Sequence, residues 1–383
     1  MKVLDGIKVL ELGTTLTAPF ASMLLGDLGA DVVKIEKPDG GDNFRSFRGE
    51  LYSPQFIAYN KNKRSVALDI RSDEGKAILW DLIDHADVLI DNFRHGVMER
   101  LGLSWEALHA RNPRLIFCSI TGFGTTGPYR DRPAYDTVAT ALTGVLGLFL
   151  DPDQPRIGGP TVADNAGGIF ACYGILGALF ERTRSNVGRR VEVNMLEAVM
   201  AFVPDSYSVL TSTGVVTNRD TRVASSQCFA LRCSDGKLVA IHMSSPEKFW
   251  QGLLRAIERP ELGTDPRFDN RTWRYDNYDA LRRELSAIAL TRPRAEWVAR
   301  FEENDVPYAP INGVDEAMDD PQIVALETFY SAKSAKYGDV VSVRRPVLID
   351  GQRKVADRPP PALGEHNAEV LGAASDWRTG PSR

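Results

Sequence analysis

Histidine and cysteine are scarce in this chain, five and four among 383 residues. The cysteines, Cys118, Cys172, Cys228 and Cys233, form no CxxC pair and share no metal-ligand spacing with the histidines. That argues against a zinc site, a redox dithiol or a disulfide framework, and no metal is expected. Cys118 and Cys172 sit in apolar stretches and read as core fillers. No phosphate-binding P-loop, GxSxG elbow or HExxH helix occurs. By elimination, the group that does any chemistry is a carboxylate. Positive charge is not in surplus either: the formal charge is −5 and the basic residues are dispersed, so no footprint for nucleic acid is expected. Met1 to Leu12 reads as a strand and not as a charged-then-apolar leader. No apolar run is expected to approach a membrane span. These absences point to a cytoplasmic or otherwise reducing location, with neither membrane nor nucleic acid as partner.

What is present is an ordinary globular composition, 43% hydrophobic and 25% charged, in a chain long enough for two domains. The first half alternates short β-rich runs with amphipathic helices, the pattern of a parallel α/β sheet. Strands are expected at 7–12, 32–35, 65–70, 88–90 and 115–120. One helix starts near Thr17 with Pro19 in its first turn, and another follows a Ser72 cap. Residues 149–165 are rich in Asp, Pro and Gly and read as a loop, before a Gly/Ala-rich helix from Ala166 to about Thr183. Residues 190–196 read as a strand leading into a helix. Beyond them, residues 229–243 read as an antiparallel pair turned at Ser234-Asp235-Gly236, with helices at 249–257, 278–290 and 295–303. The tail from about Val343 reads as strand, then as a Pro-rich stretch. The expected architecture is a Rossmann-like parallel-sheet domain from residues 1–200 and 343–383 and a smaller α+β domain at 228–320. Residues 201–227 and 321–342 connect them.

Two motifs merit weighing. Gly122-Phe123-Gly124-Thr125-Thr126-Gly127 matches GxGxxG and follows a strand, but Pro128 comes next and nothing helical begins before Asp136. A dinucleotide fingerprint needs its third glycine to open a helix, so this is a glycine loop. The other is Asp164, in Gly158-Gly159-Pro160-Thr161-Val162-Ala163-Asp164-Asn165-Ala166-Gly167-Gly168. Glycines on both sides would let the backbone approach a ligand. The position near a helix N-terminus fits a carboxylate nucleophile, but on the motif alone an ordinary Asp cap is the better reading.

Segments spread over nearly the whole chain resemble the family III CoA-transferases. They begin with Gly6-Ile7-Lys8-Val9-Leu10-Glu11-Leu12, Ala18-Pro19 and Leu28 through Pro38. Gly41-Asp42, Asn62 through Val66, Ala86 through Phe93, the glycine loop with Pro128-Tyr129, and the Asp164 block follow. Gly188 through Val191, Val306-Pro307 and Leu363-Gly364-Glu365-His366 complete the series. The resemblance implies an enzyme with no permanently bound cofactor, whose substrates are an acyl-CoA and a free carboxylate. It also implies that Asp164 is the nucleophile, passing through a mixed anhydride to an aspartyl-CoA thioester. It places CoA contacts at Thr15, Leu16, Thr17, Lys37, Leu68, Arg71, Asn92, Phe93 and Arg100, and it implies an interlocked homodimer.

Three departures bear on specificity. Leu16 stands where formyl-CoA transferases of the family have Gln, and Pro133 where they have Lys. Arg222 through Gln227 replaces their run of glycines. Racemases of the family carry a His before a second Asp; here the stretch reads Ala134-Tyr135-Asp136. A tyrosine with a reference pKa of about 10 is a poor proton shuttle at neutral pH. The transferase branch is therefore expected, with Asp136 orienting Tyr135 or the acceptor. Arg222 suits a second carboxylate, so a small dicarboxylate such as succinate is the expected acceptor. A 2-methylacyl-CoA racemase and a non-catalytic CoA-binding protein are the alternatives.

Overall fold

A computed structural model of the chain describes residues 2–47, 52–244, 246–353, 357–372 and 375–379. Six strands, β1 (Lys8–Glu11), β2 (Asp31–Glu36), β3 (Lys63–Ala67), β4 (Val88–Asp91), β5 (Ile116–Thr121) and β6 (Arg190–Asn194), form one sheet in the order β3-β2-β1-β4-β5-β6. Every neighbouring pair is parallel. The central strands are buried on both faces, which is why they read as continuous apolar runs and not as alternating ones. Successive residues still serve opposite cores: Val9, Ile90 and Cys118 pack on one face, Leu10, Leu89 and Phe117 on the other. The strand order reverses between β1 and β4. A doubly wound sheet opens a crevice there, beyond the C-terminal ends of the strands.

The Ser72 cap is present, its Oγ accepting the Gly75 N–H at 3.0 Å ahead of helix Asp73–Asp84. The Gly/Ala-rich helix runs from Val162 to Ser185, starting four residues before the expected Ala166, so Asp164 lies inside its first turn. This long helix lies against helix Thr17–Asp27, and a glycine makes that approach possible. A Cβ on Gly168 would meet the Phe20 ring at 2.8 Å and the Thr17 carbonyl oxygen at 3.0 Å. Contrary to the sequence expectation, this helix is long and apolar enough to cross a membrane, by length and composition alone. Its Ala171, Ile175 and Leu179 are nonetheless core residues of the sheet domain, and Asp164, Glu181, Arg182 and Arg184 lie along it.

By compactness the chain divides into two units: Met1–Leu146 with Gly159–Pro204 and Ala325–Arg383, and Gly147–Gly158 with Asp205–Val324. The second unit holds the antiparallel strands β7 (Cys228–Arg232), β8 (Leu238–His242) and β9 (Tyr308–Ile311). Helices Glu247–Ala256, Tyr278–Ala289 and Arg294–Glu303 pack Trp250, Leu285 and Trp297 onto Phe229 and Val239 of that sheet. Residues 201–227, read as a connecting stretch of mixed helix and loop, include the short helices Asp205–Thr213 and Thr221–Ser225.

The tail differs from its reading. Strands β10 (Phe329–Ser334) and β11 (Gly338–Val343) pair as a hairpin that ends where the tail strand was expected to begin. The hairpin buries alternate residues, Tyr330, Ala332 and Ser334 on one strand and Val340 and Ser342 on the other. Serines at inward positions hid that period. Further on, the chain returns to cover the open edge of β3. His366 N–H donates to the Ser65 carbonyl at 3.0 Å, and the Asn367 side chain accepts the Ala67 N–H at 2.8 Å. Those bonds use up backbone groups that an exposed edge would offer to another strand.

Candidate active site

The crevice beyond β1 and β4 is shaped by the loop from Gly13 to Thr17. A Cβ on Gly13 would lie 2.3 Å from that of Ala18, so only glycine fits the turn. Thr15 sits at φ 72°, a left-handed conformation costly for a β-branched residue. Two carbonyl-bearing side chains hold it there. Asp42 accepts the Thr15 N–H at 3.0 Å, and Asn92, just past β4, accepts the Thr14 N–H at 2.9 Å. Asn92 also donates to the Thr14 carbonyl at 2.7 Å and to Thr17 Oγ1 at 2.9 Å. The Asn92 side chain thus clamps the loop across the point where the strand order reverses.

Beneath the loop lies a buried charge network that sequence reasoning missed. Lys34 Nζ lies 2.6 Å from Glu11, 2.7 Å from Asp42 and 2.8 Å from the Gly13 carbonyl. Lys63 pairs with the other oxygen of Glu11 at 2.8 Å. Arg45 spans both oxygens of Glu36 at 2.7 Å each, and Ser65 donates to Glu36 at 2.6 Å. Three cations and three carboxylates balance, all out of water. Burial pulls Lys34 down, but Asp42, Glu11 and Glu36 outweigh it and hold the ammonium above its ordinary range. For Lys63 burial wins and pushes the pKa to about 8. The only signal in the sequence is charge set inside apolar strands: Glu11, Lys34, Glu36 and Lys63.

The structure brings the proposed CoA contacts to one edge. Thr15, Leu16 and Thr17 follow β1, Lys37 follows β2, Leu68 and Arg71 follow β3, and Asn92 and Phe93 follow β4, with Arg100 ending the short helix Val97–Arg100. All lie past C-terminal strand ends, as ligand contacts in such sheets do. They are not equivalent. Lys37, Arg71 and Arg100 are exposed, Arg71 only 3.5 Å from its neighbour Asp69. Leu16 and Leu68 are buried. Asn92 is committed to the loop, and Phe93 packs on the core beneath.

Asp164 occupies the first turn of the long helix, and a Cβ on Gly167 in the next turn would lie 3.7 Å from Thr17 Cγ2 of the β1 loop. Of the flanking glycines, Gly158 and Gly159 have open space beside them, and Gly168 lets the two helices pack. Among the described residues, nothing donates to the Asp164 carboxylate and no cation pairs with it. Burial, and secondly the charge of Asp136, push its pKa up to about 7. Asp136 starts helix Asp136–Leu142, and its Oδ1 accepts the N–H groups of Ala163 at 2.7 Å and Asp164 at 3.3 Å. It therefore caps the helix that carries Asp164 with that oxygen. Tyr135 itself is 71% exposed. The glycine loop ends without opening a helix: the next one begins at Asp136. No cluster of metal ligands occurs among the described residues. Arg222 lies in the second unit, exposed on helix Thr221–Ser225.

A Rossmann-ordered sheet, a clamped loop at its switch point and an unpaired half-buried carboxylate at a helix start define an α/β protein with a candidate site at Asp164. Comparison with known proteins takes this further. The sequence model of CoA-transferase family III matches residues 4–367, and the chain belongs to that family. It is 34% identical to the acetyl-CoA:oxalate CoA-transferase of Acetobacter aceti, over 96% of this chain and 94% of that one. It is 33% identical to a succinyl-CoA–D-citramalate CoA-transferase of Chloroflexus aurantiacus, over 96% and 93%. The crystal structure of a CaiB/BaiF family protein from Brucella suis superposes with a TM-score of 0.85 at 32% identity, covering 96% of this chain and 98% of that one. The protein is thus a CoA-transferase of family III.

Proposed function

We propose that the enzyme moves CoA from an acyl-CoA to a small dicarboxylate through a covalent aspartyl-CoA on Asp164. The observation that carries this reading is the Asp164 carboxylate itself: partly desolvated, without a cation or hydrogen-bond donor among the described residues, and set in the first turn of the helix packed on the β1 loop. A carboxylate stripped of partners is a better nucleophile than one held in an ion pair. Its oxygen adds to the thioester carbonyl and the C–S bond breaks, giving a mixed anhydride and CoA thiolate. The thiolate then attacks the aspartyl carbonyl and expels the first carboxylate, leaving an aspartyl-CoA thioester. The incoming carboxylate adds to that thioester and releases the thiolate, which attacks the new acyl carbonyl and frees Asp164. Each step exchanges one acyl bond for another, so no proton shuttle at carbon is needed, in keeping with Tyr135 in place of a histidine.

The relatives support the substrate class: both named above act, by name, with dicarboxylic acids or their CoA esters. The exposed Lys37, Arg71 and Arg100 supply cations for the phosphates of CoA. A screen of CoA exchange between common acyl-CoAs and a panel of mono- and dicarboxylates tests the assignment. Dicarboxylates should lead, and preference for monocarboxylates throughout would remove it.

The active form we propose is an interlocked homodimer. Its support is the outward side of the long helix, where Ile169, Tyr173 and Phe180 recur at helical spacing and are exposed, Tyr173 to 73%. Val138 and Leu142 on helix Asp136–Leu142, and Met200 and Phe202 on helix Met195–Phe202, are exposed as well. An apolar helix face of this kind marks a surface that another chain covers.

A further inference from the structure

The tail segment Leu363-Gly364-Glu365-His366 and its neighbour Asn367 take no part in the transfer steps, yet they lie against the strand that leads into Leu68 and Arg71. β3 is an edge strand: β2 pairs with one side of it, and the other side would leave the backbone groups of Ser65 and Ala67 open. Two consecutive tail residues take all four. His366 donates its N–H to the Ser65 carbonyl at 3.0 Å and accepts the Ser65 N–H on Nδ1 at 3.3 Å. Asn367 accepts the Ala67 N–H on Oδ1 at 2.8 Å, and its Nδ2 donates to the Ala67 carbonyl at a longer 3.4 Å. A side-chain amide offers both an acceptor and a donor, so it stands in for the backbone of a further strand. Burial lowers the His366 pKa, which leaves Nδ1 free to accept at neutral pH. Gly364 turns the tail at φ 68°, and a Cβ there would lie 3.2 Å from that of Ala67.

These bonds fall where β3 ends. Ala67 is its last residue, and Leu68 follows with its N–H given to the Glu36 carbonyl at 2.8 Å. Glu36 is in turn the last residue of β2, ahead of Lys37. The Asn367 amide therefore fixes, from the open side, the backbone on which both strand ends are aligned. The same segment reaches the buried charge network: Gly364 N–H donates to Ser65 Oγ at 3.0 Å, and that hydroxyl donates to Glu36 at 2.6 Å. The tail does not need Asn367 in order to stay docked. Trp377 is fully buried, its Nε1 donating to the Leu82 carbonyl at 3.3 Å, and Val370 is buried in the same core.

We propose that Asn367, with His366 beside it, is a positioning residue for acyl-CoA binding: its amide sets the end of β3 from which Leu68 and Arg71 meet the coenzyme. The role rests on Leu68 and Arg71 contacting CoA, as read above. It gives the tail a part in affinity and none in the making or breaking of bonds at Asp164.

Steady-state kinetics of Asn367→Ala and Arg71→Ala, alone and combined, at saturating carboxylate test it. Loss of the Asn367 hydrogen bonds should raise the KM for acyl-CoA by roughly 3- to 10-fold and leave kcat within about twofold of native. In the Arg71→Ala background the same change should raise KM by no more than about twofold, because less is left to position. Asn367→Asp keeps the acceptor for the Ala67 N–H and should recover part of the affinity; it takes the place of the alanine variant if that one does not fold. A native KM in Asn367→Ala beside a raised KM in Arg71→Ala would overturn the positioning role alone. So would a fully additive loss in the double variant, or a fall in kcat as large as the rise in KM. A native KM in Arg71→Ala would remove the CoA contact itself, and the proposal with it.

Discussion

Only the ionised form of Asp164 can attack a thioester, and burial together with Asp136 lifts its pKa to about 7. Exchange is therefore expected to be slow at pH 6, to rise through pH 7 and to level off above it, as kcat/KM against pH would show. Asp136 acts on this limb in two ways, by its acceptor oxygen and by its charge. Asp136→Asn keeps an oxygen for the Ala163 and Asp164 N–H groups but removes the like charge. The Asp164 pKa falls, and the acid limb should move down by roughly one pH unit. Asp136→Ala removes the cap as well and should cost about 0.5–2 kcal/mol of stability by denaturant titration. An acid limb identical in native enzyme and Asp136→Asn would show that Asp136 has no electrostatic part. Among the described residues, the charge that acts on Asp164 is that of Asp136. The residues turned toward Gly167 and Gly168 from the other elements, Thr17, Phe20, Ile120 and Met195, carry no charge.

Among the elements, the β1 loop depends on what lies below it. Glu11→Gln leaves Lys34 and Lys63 short of a counter-charge, and breaking a buried pair costs about 3–5 kcal/mol. The variant should unfold at markedly lower urea and bind acyl-CoA poorly, since Lys34 no longer supports Gly13 and Asp42. Lys37→Ala, Arg71→Ala and Arg100→Ala should each weaken acyl-CoA binding by roughly 10- to 100-fold at little change in stability, because these cations are exposed and the pair of Arg71 with its neighbour Asp69 is a surface one. Acyl-CoA affinity untouched in all three would move the nucleotide site elsewhere. The contrast between the two groups shows what the sequence could and could not disclose. The parallel strands, the Ser72 cap and the β7–β8 hairpin follow from local patterns and were legible. The charge network joins three strands that are adjacent only in the folded sheet, so no local pattern announces it. The start of the long helix was missed because Asp, Pro and Gly before it resemble a loop, while its actual N-terminal bonds go to the distant Asp136. The β10–β11 hairpin was missed because serine fills inward positions that the period reserves for apolar residues.

At the scale of the whole molecule, the family came from short segments in constant order along nearly the entire chain, and the exposed apolar side of the long helix came only with the structure. An interlocked pair would bury well beyond the ~1,600 Å² of a standard interface. Analytical ultracentrifugation from nanomolar to micromolar concentration should then show dimer throughout, and a folded, active monomer would refute the interlocking. The chemistry itself rests on one bond. The enzyme should be incubated with acyl-CoA, quenched in acid and digested for mass spectrometry, with a borohydride-treated sample alongside. The account predicts CoA in thioester linkage to the peptide bearing Asp164, reduction of that side chain to an alcohol by borohydride, and neither product in Asp164→Asn, which should fold normally and have no exchange activity. Full exchange by Asp164→Asn, or CoA attached to a different residue, would contradict it.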